Sequence, residues 1–558
     1  MAIKIIRNEN PKVKLIYLSG SWEEIGESYG EYLKKWYRNS PMKTFSQLID
    51  ILIEHSTMER PKAVKKAVRQ FVYRYVEKNA MKNLTEEAKT VLKSISKTSG
   101  IKESDLFKAF SFADVFPTML YISSKITGMV YPHALVGCSS FVAGKGFTKE
   151  GNQLHGRNFD FFGGDEWDEN HAIIVIKPTG KLGTLTIAAD STLIPGVTTL
   201  NEAGLVTDLH INYTKELSRS GYNILGILFK IASEAKNFDD IEQILLKYRR
   251  ISGWGIVSSH PKLGARVFET TAKRHTSFSL EDGGYIFYNN TFHTEEMKKT
   301  EFSPAFVWDL FNIGRDKRMK QLLPPQKGKL DVENAVKILG DHYDPWLEKE
   351  RGTGSVISCV YNTSSVVFDQ ENDRLFMALG EKPLNNNSYH EIKISDLWEG
   401  KLTIGREIEP YNFPENKLKA LRHYIKGYNN WWYKTDLCTA LQELNKSVEL
   451  DPDESQYLLL RSWVKIKIDD YKGAKEDIEQ FLEMKLTDYR RKIGELWLGR
   501  IFDLQGERKK AKKIFKELKK SEYKDISKWA AKFVGKAYNV GFAHRMDIDF
   551  VLGEFFDY

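Results

Sequence analysis

The sequence predicts an α+β protein in which antiparallel sheets pack against helices, followed by an all-helical C-terminal segment. Three observations carry this reading. Short β-branched and aromatic runs separated by turns begin at Val136 and surround few helices, the pattern of a layered α+β domain. Residues 1–130 carry apolar positions mainly at helical spacing. After Pro414 the spacing is helical throughout, and small residues recur: Ala440 and Ala474 stand 34 residues apart, with Ala511 a further 37 on.

Taken in order, Ser21 with Glu24 forms a capping box that opens a helix carrying Trp22, Ile25, Tyr29, Leu33 and Trp36 on its apolar positions. Gly26 and Gly30 lie one turn apart on it, which allows close approach by another element. A second stripe uses Val64, Val68, Phe71, Val72, Tyr75 and Val76, and Thr85 is placed to cap a third helix through Leu92 and Ile95. Strands are then expected over 171–176, 184–189, 198–200, 204–213, 255–259, 266–271 and 285–288. Further strands are expected over 356–361, 365–369 and 374–378, and a helical interlude lies between Asn223 and Tyr248. In the last segment Gly499 and Ser462 each precede a recurring alanine by twelve positions, a spacing that resembles tetratricopeptide repeats. The lysines of 509–520 leave Ala511, Ile514, Phe515 and Leu518 on one face, so that run reads as the solvated side of an amphipathic helix.

At 558 residues, with 41% hydrophobic and 28% charged, the chain is long enough for two to four domains and too apolar for extended disorder. A net charge of +8 is a mild excess, and no nucleic-acid signature accompanies it. Three cysteines, Cys138, Cys359 and Cys438, exclude a disulfide scaffold and fit a reducing compartment. No Cys/His spacing suits a structural zinc. Charge enters the N-terminal stretch too early for a signal peptide, and no run of about 18 apolar residues occurs. The expectation is a cytoplasmic protein with no transmembrane segment.

The stretch from Val136 to Asp160 concentrates the chemistry. Cys138 precedes a strand-like run (Phe141, Val142, Ala143), a Gly/Lys/Asn-rich turn follows, and a return run ends in Arg157, Asn158 and Asp160. A β-hairpin of this form brings a guanidinium and a carboxylate back towards a thiol, and nearby positive charge favours thiolate. Cys359 and Cys438 lack such flanks and read as inert.

The ordered set Gly137-Cys138, GRNFD (156–160), NEAGL (201–205), INY (211–213), NNTF (289–292) and GRDKR (314–318) resembles the penicillin acyltransferase family of autoproteolytic Ntn hydrolases and its choloylglycine hydrolase relatives. The resemblance covers roughly residues 130–400 and reaches GSWEEIGESYGE near the start. It implies a four-layer αββα sandwich with a helical pro-segment over 1–137, a catalytic domain over 138–410 and a helical repeat domain over 411–558. It also implies cleavage of Gly137–Cys138, after which the Cys138 amine serves as base for its own thiol. Arg157 would orient substrate or favour the thiolate, and Asp160 would hold the Cys138 amine. Asn290 would donate to the oxyanion, and Asn212 would be a second such donor in competition with His210. Arg315 would be the late arginine, with Arg318 as its alternative. The expected activity is cleavage or transfer of an acyl group from a linear amide, ester or thioester, with no metal and no organic cofactor. Partners would be a small acyl amide or ester and a peptide or protein at the repeats. A phospholipase B-like lipid hydrolase and a non-catalytic interaction protein are the alternatives.

Overall fold

The computed structural model describes residues 3–36, 43, 47, 50, 53, 62–75, 83–127, 137–161, 167, 168, 170–192, 196–304, 306–432 and 434–545. Val76 and Val136 lie outside these, as do the side chains of Val64 and Tyr75.

Two sheets organise the first three quarters of the chain. The larger has nine strands in the order β1-β2-β5-β6-β7-β8-β9-β10-β11. These are β1 (Ile3–Glu9), β2 (Lys12–Gly20), β5 (His171–Pro178), β6 (Thr184–Ala189), β7 (Thr198–Asn201), β8 (Val206–Ile211), β9 (Trp254–His260), β10 (Gly264–Thr270) and β11 (His275–Ser279). All neighbours in it are antiparallel except β2 with β5. The smaller sheet runs β12-β3-β4-β15-β16-β17-β18: β12 (Tyr285–Tyr288), β3 (Gly137–Ala143), β4 (Leu154–Asp160), β15 (Asn362–Asp369), β16 (Arg374–Ala378), β17 (Tyr389–Lys393) and β18 (Ile404–Ile408). A two-strand ribbon, β13 (Tyr343–Asp344) with β14 (Lys349–Glu350), stands apart.

Side-chain alternation stacks the sheets into layers. Val13, Leu15, Ile173, Val175, Leu185 and Val206 of the larger sheet meet Val366, Phe368, Leu375 and Met377 of the smaller in one buried cluster. On the outer face of the larger sheet, Ile16, Leu18, Ile174 and Ile176 pack on α1 (Trp22–Trp36), α3 (Glu86–Ser99), α4 (Glu103–Thr127) and α5 (Ile224–Glu234). Outside the smaller sheet, Phe141, Leu154, Val367 and Phe376 meet Met319 of α8 (Phe306–Leu322), Leu323 just after it, and Ala335 and Leu339 of α9 (Val332–Leu339). The result is the expected αββα sandwich.

Local signals read from the sequence recur in the backbone. Ser21 N donates to Glu24 Oε2 at 2.7 Å and Glu24 N to Ser21 Oγ at 3.2 Å, a reciprocal capping box. The helical interlude is α5 and α6 (Phe238–Lys247), with Asn223 capping the first. Thr85 stands at the start of α3, but its hydroxyl donates to the Gly226 carbonyl at 3.0 Å instead of capping.

Three departures have physical causes. The first twenty residues, read within a mainly helical segment, supply two strands to the larger sheet, because β2 buries Val13 and Leu15 on one face and Ile16 and Leu18 on the other. Burial on both faces erases alternation from the sequence. Residues 356–361 are buried but form no strand: Ser358 N bonds to the Asp341 carbonyl and Asn362 N closes a turn on Cys359. Strands β11, β17 and β18 carry no strand signal in the sequence, because HTSFS, YHEIK and IGREI are polar and sit at or near sheet edges.

Beyond Pro414 the chain stacks helix pairs: α11 (Glu415–Trp432) with α12 (Leu437–Leu450), α13 (Ser455–Lys467) with α14 (Tyr471–Glu483), and α15 (Asp488–Leu504) with α16 (Arg508–Leu518). The recurring alanines Ala440, Ala474 and Ala511 are fully buried, and Gly499 lies against the Phe515 ring. Buried Arg351 ties this region to the sandwich, pairing with Asp344 at 3.1 Å and with Glu454 at the start of α13. Among the described residues no helix is long and apolar enough to cross a membrane.

Candidate active site

The hairpin of β3 and β4 pairs Gly137 with Asp160, Cys138 with Phe159 and Ser140 with Arg157. Directly opposed residues share a face, so Cys138, Ser140 and Arg157 project together into the space between the sheets. Arg157 Nη2 donates to Cys138 Sγ at 3.1 Å and to the Leu209 carbonyl at 2.7 Å. Its Nη1 reaches Ser140 Oγ at 3.2 Å and His210 Nε2 at 2.7 Å. Burial pushes the Cys138 thiol up to about 11, while the Arg157 guanidinium pulls against it. Burial and the cations of Arg157 and Arg315 hold His210 well below its ordinary range, so its ring accepts from Arg157 as the neutral form.

Asp160, three residues after Arg157, falls on the opposite face of β4. Its Oδ1 accepts from Asn362 Nδ2 at 2.8 Å, and its buried Oδ2 has no hydrogen-bond partner among the described residues. Burial raises its pKa against the pull of Arg315. The Cys138 nitrogen, expected beside Asp160, instead donates to Asn290 Oδ1 at 2.7 Å. Period-two alternation explains this: the register sets Asp160 against Gly137, on the face of the hairpin away from the Cys138 thiol.

Arg315 Nη1 donates to the Cys138 carbonyl at 2.8 Å and Ser139 Oγ at 3.0 Å, and Nη2 reaches Asn290 Oδ1 at 3.1 Å and Asn312 Oδ1 at 2.7 Å. Arg318, its alternative, points one turn away and pairs with Asp341 at 2.7 Å. Asn290 Nδ2 donates to the Ile211 carbonyl at 3.1 Å, so its amide holds the Cys138 nitrogen by the oxygen. Asn212 Nδ2 is taken by the Tyr288 hydroxyl at 2.7 Å, and Tyr288 donates on to Glu269 at 3.0 Å. His210, the competitor of Asn212, lies against Arg157 instead.

Sequence reasoning missed the support around these groups. Ser140 Oγ donates to Asp208 Oδ2 at 2.8 Å, and the same oxygen meets His155 Nε2 at 2.8 Å. His155 and Arg157 keep the buried Asp208 carboxyl below its usual range despite desolvation. Thus the Arg157 charge is balanced through Ser140 by a carboxylate on the other sheet. Asn312 sits three residues before Arg315 on one helix, a spacing that places them on one face and offered the only sequence cue.

Two cavities meet this cluster. An apolar one of ≈ 90 Å³ has Cys138 in its wall, with Phe112 and Phe116 from α4 and Phe159, Leu209 and Trp254 from the sheets. A larger one of ≈ 750 Å³ is walled by Asn290 and Asn312, with Tyr213, Phe292 and Trp308 around it.

Residues 147–382 match the family model described as Acyl-coenzyme A:6-aminopenicillanic acid acyl-transferase. The match makes this segment similar to that acyl-transferase family and spans less than half of the chain. The matched segment holds Arg157, Asp160, Asn212, Asn290 and Arg315, and begins downstream of Cys138. Among solved structures, a variant of the conjugated bile acid hydrolase from Clostridium perfringens is 15% identical, covering 50% of this chain and 99% of its own, with a TM-score of 0.30. Penicillin V acylase from Agrobacterium tumefaciens is 10% identical, covering 50% of this chain and 100% of its own, with a TM-score of 0.29. No curated protein matches the chain.

Proposed function

We propose that this protein, similar to the acyl-transferase family over residues 147–382, is an autoproteolytic Ntn-type cysteine amidohydrolase or acyltransferase whose nucleophile is Cys138. The observation that carries the reading is the separate fixing of the two Cys138 heteroatoms: Sγ by Arg157 at 3.1 Å and the backbone nitrogen by Asn290 at 2.7 Å. A residue that is to be nucleophile and base together needs its sulfur and nitrogen held apart in defined places.

In the first step the Cys138 sulfur attacks the Gly137 carbonyl carbon, the peptide C–N bond breaks, and the nitrogen takes a proton to become a free amine. Water then cleaves the resulting thioester and leaves Gly137 as a carboxylate. Gly137 suits this role, since a Cβ there would stand 3.2 Å from Asp160 Oδ2 and 3.3 Å from the Phe311 ring. In turnover the Cys138 amine, with an ordinary pKa of roughly 8, takes the thiol proton as sulfur attacks the substrate carbonyl. The C–N bond of the substrate breaks, the leaving amine carries the proton away, and the acyl group remains on sulfur. Water or an acceptor amine then releases it. Arg157 stabilises the thiolate, Arg315 and Asn290 orient the new N-terminus, and Asn212 is the reserve donor if Tyr288 releases it. The C-terminal helix pairs, read as tetratricopeptide-type repeats, would offer a surface to a peptide or protein.

Intact-mass analysis of purified wild type beside Cys138→Ala tests this. The expected outcome is a fragment beginning at Cys138 in the wild type alone. Two uncut proteins would remove the mechanism, because Cys138 would then have no α-amine.

A further inference from the structure

We propose that the larger cavity, on the Asn290 side of the nucleophile, seats the amine half of the substrate, and that this amine carries a second, positively charged ammonium group. The inference rests on Cys138 being the acylated residue. It deepens that reading by naming what leaves.

The two cavities divide the substrate by chemistry. The apolar one ends on Cys138 and is walled by aromatic rings and aliphatic side chains, which suits an uncharged acyl group. The larger one includes Asn290, the residue that holds the Cys138 nitrogen. Tyr213 stands between them. Its ring meets Phe116 of the apolar wall edge-on at 6.4 Å and Trp308 of the larger cavity at 5.1 Å. An amide whose carbonyl sits at Cys138 would therefore have its acyl side and its amine side in different surroundings.

The polar groups of the larger cavity ask for a cation. Lys298 and Lys320 border it, but they pair with Glu295 at 2.9 Å and Asp316 at 2.5 Å. That leaves the carboxylates of Glu301 and Asp309 without an ion-pair partner among the described residues. The Phe292 N–H donates to Glu301 at 2.5 Å, yet burial, Asp309 and Glu269 push Glu301 up to about 7. Two carboxylates that disfavour each other's charge in a half-buried cavity gain from an ammonium placed between them. A second observation is independent of the acids. Tyr213 borders the same cavity, and its hydroxyl, on a residue only 2% exposed, has no hydrogen-bond partner among the described residues. A buried hydroxyl left unmatched is unfavourable, and an N–H of the incoming amine would satisfy it. Trp308 adds an aromatic face for the cation.

The test uses three amides with one acyl group: N-hexanoyl butylamine, N-hexanoyl putrescine and N-hexanoyl γ-aminobutyrate. We expect kcat/KM for the putrescine amide to exceed that of the neutral amide by about tenfold or more, with the anionic amide slowest. In E301Q/D309N the cationic preference should fall to about unity. Free putrescine, and not butylamine, should compete with p-nitrophenyl hexanoate on the wild type, a readout independent of that variant's folding. If the ester acylates wild type but not Cys138→Ala, and the three amides differ by less than about twofold, the cation subsite is overturned while the nucleophile stands. If wild type shows no acylation by the ester, the underlying reading falls and takes the subsite with it.

Discussion

Arg157 donates to the sulfur of Cys138 across 3.1 Å, and its guanidinium is fixed in turn by Ser140, His210 and the Leu209 carbonyl. The thiol is otherwise set against reaction, because burial drives its pKa up to about 11. The guanidinium is the strongest influence opposing that burial. Lysine at this position would keep a charge but lose the fork that reaches sulfur, serine and carbonyl together. We expect Arg157→Lys to alkylate at Cys138 more slowly at fixed pH and to lose roughly 10²-fold in kcat, as for the loss of one aligned catalytic donor. Iodoacetamide labelling followed across pH checks this. An unchanged labelling profile would show that Arg157 does not set thiol reactivity.

The sequence shows the pair and hides its supports, for physical reasons. Cys138, Arg157 and Asp160 are legible because one hairpin with a short turn fixes their register. Period two then dictates that Arg157 shares the thiol's face and Asp160 does not, which explains why Asn290 holds the Cys138 nitrogen. Arg315 against Arg318 could not be resolved from spacing, since both lie on α8. Packing decides it, because Arg318 finds Asp341 one turn further. Asp208 gave no signal, because a buried partner contributed by a distant strand leaves no local pattern, and Asn312 left only its three-residue spacing to Arg315. The α+β layering was legible from the strand-like runs, the αββα sandwich only as what the family resemblance implies, and β2 was not legible, being buried on both faces.

Close approach of α1 and α3 is the structural use of Gly26 and Gly30. A Cβ at Gly30 would lie 2.0 Å from Thr98 Oγ1 and 2.7 Å from the Ile95 carbonyl, and one at Gly26 would lie 2.7 Å from the Val91 carbonyl. The backbone carbonyls cannot rotate away as a side chain can. Gly30→Ala is expected to cost about 1–3 kcal/mol, and Gly26→Ala a similar amount. Chemical denaturation of the Cys138→Ala background reads this without interference from cleavage. A neutral or stabilising result would mean the two helices can separate freely.

The join between the sandwich and the C-terminal helices depends on Arg351. It is 1% exposed and serves Asp344 and Glu454, and the Glu454 carboxyl stays below its usual range because this guanidinium outweighs burial. Arg351→Met leaves two buried carboxylates uncompensated, at a cost of about 3–5 kcal/mol. Adding Asp344→Asn and Glu454→Gln removes the stranded charges, so the triple variant should be more stable than the single one. Urea denaturation decides between them. If the single variant proves the more stable, the ion cluster is not what holds this join.

Asp114 gives the wall of the apolar cavity its pH dependence. It lies on α4 between Phe112 and Phe116, fully buried, and accepts from Ile224 N at 2.7 Å, Ser252 Oγ at 2.8 Å and Trp254 Nε1 at 3.1 Å. None of these partners is charged, so desolvation prevails and lifts the carboxyl from 3.8 to about 6. A folded-state pKa above the unfolded one means that the native protein holds the proton longer, so stability falls as pH rises between about 4 and 6. The gap corresponds to about 3 kcal/mol at most. Asp114→Asn cannot ionise and must turn its amide nitrogen toward one of three donors, so it starts less stable than wild type at pH 4. As pH rises to 7 only the wild type suffers this loss, and the difference in melting temperature should narrow. Paired melting curves at pH 4, 5, 6 and 7 measure it. A gap that widens with pH would show that Asp114 is already ionised at pH 4, with its three donors outweighing its burial.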